Sequence, residues 1–171
     1  MSTAHQALDA FCSWLKVTPF SILLQTVTWI VPAVQSVHIL AIAAVVASAS
    51  MITLRTLGLT GRDEPWSVVA SRFLPVILGS LPVLLATGLL LITAEPARSL
   101  ENPAFFLKMI LLVGALGVTA VWHVTTRSKS STFWESSAPR RRAARVLAVL
   151  FLSLWVAIVF AGRWIAYVEA S

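Results

Sequence analysis

Hydrophobic positions gather into four long runs, about 31–54, 73–94, 104–126 and 144–168, separated by short polar stretches. Each is long enough to cross a hydrocarbon core of about 30 Å at 1.5 Å rise per residue. Pro32 suits the first turn of the first run, where a missing N–H costs nothing. The second run carries Pro75, Gly79, Pro82 and Gly88, a content that membrane helices tolerate and that predicts a kink. Pro103 stands at the mouth of the third run, and a polar, basic loop over 127–142 precedes the fourth.

Residues 1–30 follow a different pattern. Leu8, Phe11, Cys12 and Leu15 recur at i, i+3, i+4 and i+7, with Asp9, Ser13 and Lys16 between them. The spacing predicts an amphipathic helix too short to span, lying in the membrane interface. Thr18-Pro19 ends it, and 20–30 reads as a second interfacial turn leading to Trp29. One long tilted helix over 20–54 is the alternative; Pro19 and Pro32 favour two pieces. The predicted fold is therefore an all-α integral membrane protein: an N-terminal interfacial segment (1–30), then a four-transmembrane-helix bundle (31–171).

Composition agrees. Of 171 residues, 58% are apolar and only 12% charged, and mean hydropathy is +0.86. A soluble globule carries about a quarter charged residues, so a soluble enzyme and a disordered tail are both excluded. The net charge of +6 comes from thirteen Lys and Arg against seven Asp and Glu. The basic residues flank apolar runs, which is membrane usage, and no nucleic-acid partner is implied. The single cysteine, Cys12, allows neither an internal disulfide nor a cysteine metal cluster. No cleaved leader is expected, because no Lys or Arg precedes the first apolar stretch.

Charge also predicts orientation. Arg55, Arg62, Arg72, Arg127, Lys129, Arg140, Arg141, Arg142 and Arg145 lie on one side, against Lys16, Arg98, Lys108 and Arg163 on the other. The nine-to-four asymmetry puts both termini outside, in the bacterial inner membrane, by the positive-inside rule. Trp29 and Trp164 then mark the outer interface, and Trp66 and Trp122 the inner one. Ser153, Ala157 and Ala161 form a small stripe suited to close helix packing. No repeat relates the two halves, which argues against an inverted-repeat transporter.

Ionisable groups inside spans are costly, and each is a candidate site. His38, Lys108 and Arg163 fall at similar depth, about 6–9 Å from the outer ends of their runs. Gln35 shares a face with His38, and Tyr167 with Arg163. The set suits a quinone head group, hydrogen-bonded by His38 and Arg163. It equally suits a b-type haem with His38 as axial ligand and the two cations on its propionates. Simple snorkelling of Lys108 and Arg163 to the head groups stands beside both readings. His123 lies roughly 17 Å deeper than His38 on straight helices, too far to share one haem. Met109, near the depth of His38, would make a His/Met haem or copper site. Arg55 is expected to pair with Asp63 or Glu64, or to mark the interface. No phosphate loop, HExxH, GxSxG or CxxC occurs.

Pro32-x5-His38, Leu54-Arg55-x-Leu57-Gly58, Thr87-Gly88, Asn102-Pro103-x-Phe105-x2-Lys108, His123, Ser153-Leu154-Trp155 and Gly162-Arg163-x2-Ala166-Tyr167 together resemble a family of small bacterial inner-membrane proteins with no assigned activity. The resemblance covers most of the chain and implies location and fold, not a reaction. In build, the family is similar to four-helix cytochrome b and copper-resistance membrane proteins. Its members commonly carry Asp two residues before the arginine, where this chain has Thr53. The expectation is a non-catalytic membrane or electron-transfer subunit binding quinone or haem b near the outer face. A cofactor-free accessory protein and a copper handler are the alternatives. The expected partners are the bilayer and a membrane or periplasmic protein.

Overall fold

A computed structural model describes residues 3–61, 63–128 and 133–164, apart from the side chains at 3–5, 98 and 128. Within them the chain forms α1 (Thr3–Lys16), α2 (Pro19–Thr26), α3 (Ile30–Leu57), α4 (Trp66–Ala94), α5 (Pro96–Leu100), α6 (Pro103–Ser128) and α7 (Ala138–Trp164). The long helices α3, α4, α6 and α7 are long and apolar enough to cross a membrane. This is a multi-pass, four-helix bundle with a helical N-terminal segment.

Local chemistry sets the helix ends. Thr18 caps α2 by accepting from the Ser21 N–H at 3.3 Å, with Pro19 in the first turn. Asn102 does the same for α6, its Oδ1 accepting from the Ala104 N–H at 2.9 Å, ahead of Pro103. At the end of α3 the Leu59 N–H reaches the Leu54 carbonyl at 2.9 Å and the Gly58 N–H reaches Arg55 at 3.0 Å. That closure needs a left-handed residue, which Gly58 supplies at φ 76°. The Leu54-Arg55-x-Leu57-Gly58 pattern is thus a helix stop. Helix α4 starts at Trp66, ahead of the expected run, and passes through Pro75 and Pro82. Helix α7 begins inside the basic stretch, at Ala138.

In the bundle α3 packs between α4 and α7, and α7 packs on α6, while α4 and α6 meet along a shorter contact. The core runs through Val45, Ala49 and Ile52 of α3, Leu74 and Ile77 of α4, Ala115 and Trp122 of α6, and Ala148, Phe151 and Trp155 of α7. One cross-helix bond rivets it: the buried Thr53 hydroxyl donates to the Ala148 carbonyl at 3.0 Å.

The N-terminal residues form two helices, as Pro19 and Pro32 suggested. The pair bends by 66° and folds over one end of the bundle, α1 against α5 and α2 against α4. Ser21, fully buried, donates to the Thr93 carbonyl at 2.7 Å and accepts from Gln25 at 2.8 Å. Leu8, Cys12 and Leu15 turn toward the protein, whereas Phe11 and Trp14 are exposed, with ring centroids 5.9 Å apart.

Candidate functional site

Two turns below this hairpin, α3 and α4 are joined by a polar contact. His38 Nδ1 lies 2.7 Å from Thr87 Oγ1, and Thr87 is buried. The Thr87 hydroxyl in turn donates to the Val83 carbonyl at 2.6 Å, the usual bond of a threonine inside a helix. Next to Thr87, Gly88 also lies against the imidazole: a methyl group there would be in ordinary contact, 3.8 Å from His38 Cε1.

Helices α6 and α7 hold a cation between them. Lys108 is half-buried, and its stem and ammonium lie along Gly162, where an added methyl would meet Nζ at 3.7 Å. Its ammonium is within electrostatic reach of His38. No hydrogen-bond or ion-pair partner for Lys108 is found among the described residues. Gly88 and Gly162 thus lie against the two polar side chains that the bundle holds at this level, each with space for a methyl group.

The remaining candidates are placed as follows. Arg163 follows Gly162 and is exposed, so its guanidinium stands at the rim. Gln35 is exposed on the flank of α3, and Met109 is 41% exposed on the flank of α6. Tyr167 lies outside the described residues. His123 sits about 22 Å beyond Lys108 along α6 at 1.5 Å per residue, beside the buried Trp122. The polar groups at this level are one imidazole, one hydroxyl and one ammonium. Among the described residues no cluster of three or more His, Cys, Asp or Glu could hold a metal.

Two depressions lie at this end of the bundle, neither lined by His38, Thr87 or Lys108. An apolar groove of about 730 Å³ runs between α6 and α7, walled by Leu107, Leu111, Val156, Phe160 and Trp164. A more polar cleft of about 570 Å³ opens between α2, the start of α3 and the α4–α5 corner, with Lys16, Gln25 and Glu95 in its wall. Val31 and Ala94, which line the cleft, lie two turns from His38 and Thr87 on the same faces of α3 and α4.

The opposite end of the bundle is built for stability. Arg55 donates through Nε and Nη2 to the Glu64 backbone carbonyl, at 2.8 and 2.5 Å, and through Nη2 to the Glu135 carboxylate at 2.9 Å. The expected carboxylate partner, Glu64, instead faces Arg72 at 3.3 Å. Trp66 stacks on Trp122 at 4.9 Å, and Trp134 folds over both at 6.5 and 5.3 Å. Trp66 donates to Thr56 and Trp134 to Thr125, whereas the indole N–H of Trp122 finds no acceptor among the described residues. Trp122, expected at the interface, is fully buried because Trp134 covers it.

Sequence reasoning missed Thr87 and Glu135 as partners. Thr87 was visible only as part of the Thr87-Gly88 resemblance, and Glu135 lies in a stretch that reads as solvated loop.

A model of a family of unknown function (DUF6644) matches residues 11–168. The chain belongs to that family. No curated protein and no solved structure matches it.

Proposed function

We propose that this member of the family is a non-catalytic membrane subunit that binds a quinone-class head group between His38, Thr87 and Lys108, with Arg163 at the rim. The observation that carries the reading is the ammonium of Lys108. It lies half-buried in an apolar bundle, with no acid to neutralise it among the described residues. Charge in such surroundings is expensive, and bundles keep it where a ligand or ion compensates. Ring oxygens of a quinone-class molecule answer both groups, accepting from the ammonium and pairing with the imidazole. The apolar groove between α6 and α7 offers a hydrocarbon tail a dry wall.

The His38 end is read as the outer face of a bacterial inner membrane. Support comes from the positive-inside count, with the arginines of 127–145 and Arg55 and Arg72 gathered at the other end. Phe11, Trp14 and Phe20 of the hairpin, all exposed, then sit at the head-group level.

The test is extraction of protein purified in mild detergent, followed by chromatography for bound quinone and an absorption spectrum. Quinone in the extract, lost in His38→Ala while the bundle keeps its melting temperature, is the expected result. A Soret band replaces this reading with haem. An empty extract from protein that also fails to take up added short-chain quinone leaves a cofactor-free accessory subunit instead.

A further inference from the structure

We infer that the site selects the reduced, hydroquinone form of its ligand over the oxidised quinone, an inference that rests on the function proposed above. It follows from where one proton must sit. The Thr87 hydroxyl has a single proton, and the Val83 carbonyl at 2.6 Å takes it. Toward His38 Nδ1, at 2.7 Å, the Thr87 oxygen is therefore an acceptor. Nδ1 carries the ring proton, and in the neutral imidazole Nε2 is left as a bare lone pair.

The groups around that lone pair are specific. Helix α4 presents Thr87 and Gly88 to the ring. Helix α6 lays the Lys108 stem and ammonium along Gly162 of α7. The site thus offers an acceptor, Nε2, on the α3–α4 side of the bundle and a donor, Lys108 Nζ, on the α6–α7 side. A phenolic hydroxyl answers the first, its O–H donating to Nε2. A quinone carbonyl has no proton, so it sets oxygen against the nitrogen lone pair at His38. The unmade bond corresponds to about a tenfold or greater preference for the hydroquinone.

Thr87 is in this scheme a positioning residue, acting through the imidazole, and its removal has a distinctive effect. In Thr87→Val nothing holds the proton on Nδ1; the ring is free to carry it on Nε2 and donate to a carbonyl.

The experiment is anaerobic calorimetric titration of the full chain in detergent with a short-chain benzohydroquinone and with the matching benzoquinone. Wild type is expected to bind the hydroquinone at least about tenfold more tightly, and Thr87→Val to bring the two within about threefold. Nitrogen-15 NMR of histidine-labelled protein, with His38 assigned by His38→Gln, reads the tautomer without any ligand. A protonated Nδ1 and a bare Nε2 are expected. Equal or tighter quinone binding by wild type, or a protonated Nε2, overturns the inference while leaving the quinone site standing. Failure of both forms to bind overturns the site itself.

Discussion

Replacing Lys108 with Met separates a group kept for binding from one kept for structure. The substitution removes the charge but retains an unbranched stem of similar length, so packing along Gly162 is preserved. A lysine at the centre of a membrane helix costs about 2.5–3.5 kcal/mol on insertion scales. Lys108 lies only about 7 Å from the start of α6 at 1.5 Å per residue, where snorkelling recovers part of that cost. Removing an ammonium with no partner among the described residues should therefore stabilise the bundle by about 1 kcal/mol. For a chain of this size that raises the thermal midpoint by about 2–4 °C. Ligand binding should fall at the same time, because the donor to the ring oxygen is gone. Thermal unfolding in one detergent, with and without a short-chain hydroquinone, measures both. The wild-type midpoint should rise with ligand, and the variant's should be higher but unresponsive. A variant that melts several degrees below wild type would refute the reasoning, since the ammonium would then be a structural partner.

The two stacked indoles at the other end should respond unequally to the same change. Trp66→Phe loses the bond to Thr56, whereas Trp122→Phe removes a buried donor that has no acceptor among the described residues. The first should be more destabilising by about 2 kcal/mol, read from denaturant or SDS titration. Arg55→Lys cannot reproduce three bonds from one guanidinium and should cost about 1.5–3 kcal/mol. Glu135→Gln, whose carboxylate is 35% exposed, should cost less, about 1 kcal/mol; equal losses would show that the Glu64 carbonyl contributes nothing. Burial, then the Glu101 carboxylate facing the thiol, and then Asp9 push the Cys12 pKa up. The docked hairpin thus favours the thiol. Its contribution to stability is complete below the ordinary thiol range and declines as pH rises through and above it. Maleimide should label Cys12 far more slowly than glutathione at neutral pH, and Glu101→Gln should speed the reaction; a rate equal to glutathione's would mean that α1 does not dock.

The fold was readable because lipid imposes one simple demand, long runs without charge, and the runs coincide with α3, α4, α6 and α7 apart from their polar ends. Those ends escaped the reading for a physical reason. Arginines near Ala138 and the polar start of α4 are paid no penalty at a membrane surface, so helix continues where hydropathy stops. His38 and Lys108 were conspicuous because ionisable residues are rare within spans. Thr87 was not, since a threonine in such a helix normally satisfies itself on its own backbone; that it also serves a histidine 49 positions away has no local signature. Glu135 was hidden likewise: its partner Arg55 is 80 positions distant, and short-range spacing pointed to Asp63 and Glu64 instead.

The hydroxyl of Thr53 also has consequences far from its own position. Its bond to the Ala148 carbonyl fixes how far α7 is threaded past α3. About 22 Å along both helices from that bond, at 1.5 Å per residue, lie His38 on one and Arg163 on the other. A slip of one residue at the rivet would slide α7 by 1.5 Å and turn it by about 100°. Lys108 would then meet the methyl of Ala161 or the guanidinium of Arg163 instead of the bare backbone of Gly162. Thr53 thus acts as the index mark of a vernier, set at one face of the membrane and read at the other.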